Sequence, residues 1–347
     1  MKSFILFFAV IAISVAHGAP VVKEVLELDR IQPYSPMAFH SERLWTATSQ
    51  TEGDKTVYDL RLFGADGTPL AGPKRVPHSI EHIYPFGANR VLIVGKSSWP
   101  WKTHYTVATA AAETLTLNTT TFPEGIQTEQ FGGDPSRMFF NNPGDREVFQ
   151  WNGKSEPLKH EISGPGQLVL MSDFLFVLER RSFSLGDEDI YRIDLKSGQG
   201  KRVFSENRQG LTNLLPLPSR GLLAASEGLA DQILLIDAAT NAVKATVKVP
   251  GGTPRGLAQL GHCLVVGSDV SKKVSFFDLR RPAPELVEEW DLSTTAKPLF
   301  NIFSLAADPG TGTVFVRAKD ICSSCTVSRN RVLLAADGGA IAKACAN

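Results

Sequence analysis

The stretch Ile233–Leu257, ILLIDAATNAVKATVKVPGGTPRGL, sets four apolar residues before Asp237, breaks into a turn, resumes as a second alternating segment and closes on Gly-Gly-Thr-Pro. Four consecutive apolar side chains bounded by turn residues suit a strand covered on both faces, whereas VKATVKV alternates as a strand with one solvated face does. Asp237 to Asn241 supply the residue types whose side chains bond their own backbone in a hairpin turn. Gly251, Gly252 and Pro254 then lead the chain out of this strand pair toward another apolar run.

The same opening recurs along the chain. A short apolar, alternating run ending in a small or polar residue stops at Gly64, Thr109, Asn152, Asp194, Asp237, Asp278 and Ala335, at intervals of 45, 43, 42, 43, 41 and 57 residues. Each is preceded by two further apolar runs around a turn, from SPMAFHSERLWTAT (Ser35–Thr48) to NIFSLAADPGTGTVFVRA (Asn301–Ala318). Period-two alternation with Gly, Pro, Asn and Asp at the ends marks strands, and a repeat near 43 residues is the size of a four-stranded propeller blade. The expectation is an all-β chain, a seven-bladed β-propeller with four-stranded antiparallel blades. TVATAAAETLTL, around Ala110, has helix-forming composition but sits in register as a strand and turn. VVKEVLELDRIQP (Val21–Pro33) precedes the first inner strand as KATVKVPGGTP precedes a later one, so the N-terminal segment is expected to close the ring as the outer strand of the last blade. The tail AIAKACAN is the competing candidate for that edge.

Residues 1–18 read as a signal peptide: Lys2 gives the basic start, Phe4–Val15 the apolar stretch, and small residues follow at Ala16 and Gly18. An apolar stretch of about 12 residues is short for a membrane span, and no later segment reaches 18. The expectation is one propeller domain over residues 19–347, secreted or periplasmic, with no transmembrane segment. With 36 basic and 36 acidic side chains, no net field favours nucleic acid. Asn118-Thr119-Thr120 fits the acceptor pattern for N-linked glycosylation.

The segment ILLIDAATNAVKATVKVPGGTPRGLA resembles the repeat of YVTN/NHL-type propellers, clearly over residues 190–280 and in register elsewhere. Relatives of that type include the gluconolactonase-like (SMP-type) propellers, which hold a divalent cation with carboxylate and amide groups, and a metal-using lyase of streptogramin antibiotics. The resemblance implies a fold and leaves the activity open, since one fold carries many functions.

Familiar catalytic motifs are missing. Gly95-Lys96-Ser97 imitates the end of a phosphate-binding loop, but Arg90 stands where its first glycine belongs; GQGKRV, from Gly198, lacks the third glycine of a dinucleotide fingerprint and reads as a hairpin. His78 and His82 are four apart, which in a strand context does not give the shared helical face of a zinc site. Propeller topology does, however, bring the starts of the inner strands to one channel mouth. The residues there are Tyr34, Glu81, His82, Glu129, Gln167, Asn213, Arg255 and Asn301, the candidates for a small-molecule or divalent-cation site. The same face receives SSWPWKTH, with Trp99 and Trp101, and RRSFSLGDEDI, with Arg180, Arg181 and Phe183, residue types that dominate binding hot spots. Asp187, Glu188 and Asp189 lack the spacing of a calcium loop and read as a solvated turn.

Of the four cysteines, Cys263 lies in the apolar run HCLVVGS and reads as a buried small hydrophobe. Cys345 is expected to bond Cys322 or Cys325, pinning the C-terminus in an oxidising compartment. The leading expectation for function is a non-catalytic exported module binding a protein, glycan or small molecule. The alternative is a metal-dependent lactonase or lyase with Glu81, His82, Glu129 and Asn213 among its ligands or bases.

Overall fold

A computed structural model describes residues 20–28, 37–97, 102–111, 114–158, 160, 162–180, 188–204, 208, 210–249, 252–293, 301–320 and 329–346. The first strand, β1 (Val21–Leu28), precedes blade 1, which is β2 (Met37–His40), β3 (Arg43–Glu52), β4 (Lys55–Gly64) and β5 (Pro69–Val76). Blade 2 is β6 (His82–Pro85), β7 (Arg90–Lys96), β8 (Thr103–Ala111) and β9 (Thr114–Thr121); blade 3 is β10 (Phe131–Asp134), β11 (Arg137–Asn142), β12 (Glu147–Trp151) and β13 (Ser155–Leu158). Blade 4 is β14 (Pro165–Met171), β15 (Phe174–Arg180), β16 (Glu188–Asp194) and β17 (Gly200–Arg202); blade 5 is β18 (Leu211–Leu217), β19 (Leu222–Glu227), β20 (Gln232–Asp237) and β21 (Val243–Lys248). Blade 6 is β22 (Pro254–Leu260), β23 (Cys263–Ser268), β24 (Lys273–Asp278) and β25 (Glu285–Asp291). Blade 7 takes β26 (Asn301–Ala307), β27 (Val314–Asp320) and β28 (Arg329–Ala336), and β1 supplies its fourth strand. All pairings within the blades are antiparallel, so the chain is the all-β seven-bladed propeller its repeat predicts.

The recurring apolar runs are the third strands, and their burial explains their composition. Ile233, Leu234, Leu235 and Ile236 of β20 are all but inaccessible to solvent, because one side faces blade 4 and the other blade 6. The outer strand β21 is mostly exposed. Asp237 ends β20 and its Oδ1 accepts from the backbone N–H groups of Ala239 (3.1 Å) and Thr240 (2.8 Å), closing the hairpin. Asp194 does the same for Lys196 and Ser197, and Asp278 for Arg280. The repeated aspartate is thus a turn-former.

Seven buried clusters sit at the seven blade junctions. The closing junction packs Leu44 and Phe63 of blade 1 against Phe315, Val332 and Leu334 of blade 7, with Val25 and Leu26 of β1 against them. Phe39 stacks on Phe315 across it at 5.5 Å. β1 pairs with β28 from Val21 opposite Ala336 to Leu28 opposite Asn330, with a bulge between Glu24 and Leu26.

The C-terminal tail takes another course. Ala340–Ala344 form a short helix, α1, which turns the chain back beneath the β22–β23 hairpin of blade 6. Cys345 bonds Cys263, and its carbonyl accepts from the N–H of His262 at 3.0 Å. The pairing expected for Cys345 with Cys322 or Cys325 is therefore replaced, and Cys263 is half of a disulfide. The physical reason is that β1 fills the outer position of blade 7, leaving the Ala-rich tail to fold as a helix at the foot of the junction between blades 6 and 7. Gly261 makes room for it: its φ is +54°, and a Cβ there would fall 1.9 Å from the Cys345 carbonyl oxygen. Cys322 and Cys325 lie outside the described residues, as do residues 1–19.

The disulfide spans 82 residues. In the chain-entropy account a loop of that size restricts the unfolded chain by about 4.5 kcal/mol. Replacing both Cys263 and Cys345 with Ser should lower unfolding free energy by roughly that amount in denaturant titration, and reductant should lower the parent protein toward the same value.

Candidate functional site

The inner strands of all seven blades line a central channel of about 510 Å³. At the face where inner strands start, a second cavity of about 690 Å³ opens over blades 1 to 5 and meets the channel at Tyr84, Gln167 and Asn213. Glu81, His82, Glu129, Gln167 and Asn213, all expected at the mouth, line this cavity, and so does Arg180 from the end of β15. Arg255 instead lines the channel, while Asn301 opens β26 and is half-buried. Tyr34, Trp99, Trp101, Arg181 and Phe183 lie outside the described residues; Trp99 and Trp101 belong to the connection between β7 and β8.

The cavity wall is built by short connections. Ser79, Glu81 and His82 lead into β6, and Gly95 of β7 lets this segment lie close: a Cβ on Gly95 would fall 1.7 Å from the Ser79 carbonyl oxygen. Ser79 Oγ accepts from the Lys96 N–H at 2.7 Å and donates to Glu81 Oε1 at 3.3 Å. Lys96 extends its ammonium to Glu129 Oε1 at 2.8 Å, joining blade 2 to blade 3. Glu129 and Gln130 are fixed through their backbone N–H groups, which donate to Asn141 Oδ1 at 3.0 and 2.8 Å.

Burial pushes the Glu81 carboxyl above its ordinary range; Lys96 partly offsets this and Glu129 adds to it. Burial also raises the Tyr58 and Tyr84 hydroxyls, with the Glu81 charge contributing to both. His82 is pushed down to about 4 by burial and is therefore neutral at physiological pH. Its Nε2 accepts from the Gln130 amide at 2.8 Å, and Gln130 Oε1 accepts from the Tyr84 hydroxyl at 2.7 Å. A proton on Nε2 would set donor against donor and break this chain. His78 is also held to about 4 by burial; its Nδ1 donates to the Ser79 carbonyl at 2.6 Å, so its Nε2 accepts from the Thr106 hydroxyl at 2.7 Å, and its ring stacks on His104 at 5.2 Å, away from the cavity lining.

Several mouth residues tie neighbouring blades together. Gln167 bonds the backbone of Leu214 twice, donating to its carbonyl at 2.9 Å and accepting from its N–H at 2.8 Å. Asn213 donates to the Arg255 carbonyl, and Asn141 to that of Pro165 at 2.7 Å. Arg255 pairs with Asp269 at 3.0 Å and lies over the Phe303 ring. Arg317, deeply buried, also lies over the Phe303 ring and is lowered to about 10 by that burial.

Glu188 and Asp189 depart from the solvated turn expected of them. They begin β16 and are buried: Glu188 accepts from the Gly210 N–H at 3.1 Å, and Asp189 from the Ile190 N–H at 2.7 Å with Arg202 3.9 Å away. Asp187 lies outside the described residues. Among the described residues, no three His, Cys, Asp or Glu side chains are grouped to hold a metal ion.

Gln130, Tyr84 and Tyr58 also line the cavity without having been singled out in the sequence, and Lys96 does so after being named there only in a discarded phosphate-loop motif. Gln130 follows Glu129 at an inner-strand start and so carries the same positional signal. Tyr58 arrives from the β3–β4 hairpin of blade 1, and nothing in its local sequence points to this cavity.

No protein-family model matches the chain, and no curated protein matches it. Among solved structures, a chain of the mitotic checkpoint complex is similar over 95% of this chain and 98% of its own, with a TM-score of 0.62 and 10% identity. The WD40 β-propeller domain of Doa1 is similar over 90% of this chain and 97% of its own, with a TM-score of 0.59 and 12% identity. At such identities the likeness shows the fold: the chain is a seven-bladed β-propeller.

Two histidines lowered by burial, His78 and His82, give the protein a defined acid response. Their folded pKa of about 4 lies below the ordinary value of 6.5, so the unfolded chain binds their protons first as pH falls. Stability should be fully present above pH 6.5 and decline between 6.5 and about 4, by about 1.4 kcal/mol per pH unit for each proton taken up only by the unfolded chain. Glu81 acts oppositely, its raised pKa favouring the folded state at low pH. Denaturant titrations across this range should show a shallower decline in His82→Gln than in the parent chain.

Proposed function

We propose that the chain is an exported, non-catalytic binding module that takes its ligand at the mouth cavity. The observation that carries this reading is the cavity itself: about 690 Å³, open at one face, and walled by polar and charged side chains from five blades. Its charges come in both signs: Glu81, Glu129 and Lys96, the last two ion-paired at 2.8 Å, from blades 2 and 3, and Arg180 from blade 4. Such a surface suits a polar small molecule, a glycan or a charged segment of a partner protein. Export is supported by the leader-like residues 1–18 and by the Cys263–Cys345 disulfide, a bond that persists in oxidising compartments. The repeat over residues 190–280 supports placing the blades with the YVTN/NHL type.

The alternative, a gluconolactonase-like metal hydrolase or lyase, draws on the gathering of Glu81, His82 and Glu129 in one cavity. It has less support, because Glu129 is already paired with Lys96 and His82 Nε2 with Gln130.

Metal analysis of the mature protein, with thermal-shift titrations of calcium, magnesium, manganese and zinc, separates the two. The binding reading expects no stoichiometric metal. It also expects any ligand found by glycan array or small-molecule screening to bind at least about tenfold more weakly to a Glu81→Gln, Arg180→Ala variant that melts as the parent does, a loss of about 1.4 kcal/mol. A stoichiometric cation that disappears with Glu81→Gln and Glu129→Gln would overturn it in favour of the metal enzyme.

A further inference from the structure

The outer strand of each blade leaves one side of its backbone unpaired, and such an edge recruits other chains unless it is short, charged or interrupted by proline. Six of the seven outer strands carry these guards: VVKEVLEL (β1), PLAGPKRV (β5), SEPL (β13), GKR (β17), VKATVK (β21) and ELVEEWD (β25). β9, TLTLNTTT, is eight residues long and has neither a charge nor a proline. It is also the strand that contains Asn118-Thr119-Thr120.

The geometry of β9 suits this acceptor. Asn118 is exposed in mid-strand, opposite Val107 of β8. Strand alternation puts Asn118 and Thr120 on one face. Thr119, between them, turns the other way and bonds Thr106 Oγ1 at 2.8 Å, which in turn contacts His78 Nε2. The position is on the rim of the ring, and none of β9 lines the mouth cavity.

We propose that Asn118 carries an N-linked glycan, and that this glycan guards the edge of β9 as charge and proline guard the other six. In the transfer, the Asn118 side-chain nitrogen bonds to the anomeric carbon of a polyisoprenyl-diphosphate-linked oligosaccharide. The bond from that carbon to the diphosphate oxygen breaks, the lipid diphosphate leaves with the bonding pair, and the amide nitrogen loses one proton. The inference rests on the export proposed above; it is independent of what the mouth cavity binds.

The test is expression of the full chain, residues 1–18 included, in a eukaryotic secretory host, with an amidase that releases N-linked glycans applied to the protein from the medium. One glycan per chain is expected, with Asn118 converted to Asp on release, absent in Asn118→Gln and Thr120→Ala and retained in Thr120→Ser. Light scattering should show self-association after release from the folded protein and in Asn118→Gln, while Asn118→Lys, which restores a charge to the edge, stays monomeric. Secreted protein without a glycan would overturn the site and leave export standing; protein kept inside the cell without a glycan would overturn both. Glycosylated protein that remains equally monomeric after release would overturn the guarding role.

Discussion

The pairing of β1 with β28 is the constraint on which the rest of the molecule depends. A propeller blade buries both faces of its sheet only if it has a neighbour on each side, and blades 1 and 7 are neighbours only when the ring closes. β1 achieves this by spending the first strand of the chain on the last blade, and Val25 and Leu26 carry that pairing into the apolar junction with blade 1. The mouth cavity inherits its shape from this closure. Its walls come from five blades, with the ionisable groups Glu81, His82, Lys96 and Glu129 gathered on blades 2 and 3.

Polar groups at the mouth do two kinds of work, and their partners separate them. Gln167, Asn213 and Asn141 spend their amides on backbone groups of the next blade, where an unmet hydrogen bond would be costly. Glu81, Lys96, Glu129 and Arg180 are the charged side chains that line the cavity. Lys96 sits between two carboxylates, bonded to that of Glu129 and offsetting the charge of Glu81. His82, neutral and bonded through Gln130 to Tyr84, belongs to the inward set despite lying beside the charged one.

What was legible in the sequence was whatever the chain decides locally. The doubly covered strand at Ile233–Ile236, the Asp237 turn and the exposed VKATVK strand follow from residue types within a few positions of one another. Ring topology then extends the reading to the mouth, because inner-strand starts at regular intervals must converge; this is why Glu81, Glu129 and Asn213 could be named in advance. The misread features are those settled by distant partners. Glu188 and Asp189 look solvated as a run of acids, yet Gly210, Ile190 and Arg202 take them into the interior. Tyr58 reaches the cavity from β4 of blade 1, packed against the junction with blade 2. The tail AIAKACAN carried a local signal that the repeat register masked: after Gly338 and Gly339, alternating small helix-formers favour the helix that is found.

The two ends of the chain divide the task of closure. β1 joins blade 7 through backbone hydrogen bonds and apolar contacts, while α1 and Cys345 tie the end of the chain covalently to blade 6, across the junction of blades 6 and 7. Both latches require the last blade: β1 has no partner until β28 exists, and Cys345 follows β28 in the chain. Neither can therefore hold a partial ring shut in the wrong register of blades. Because the disulfide fastens blade 6 to residues that have already passed through blade 7, it resists the opening of the junction between those two blades, away from the mouth cavity on blades 1 to 5.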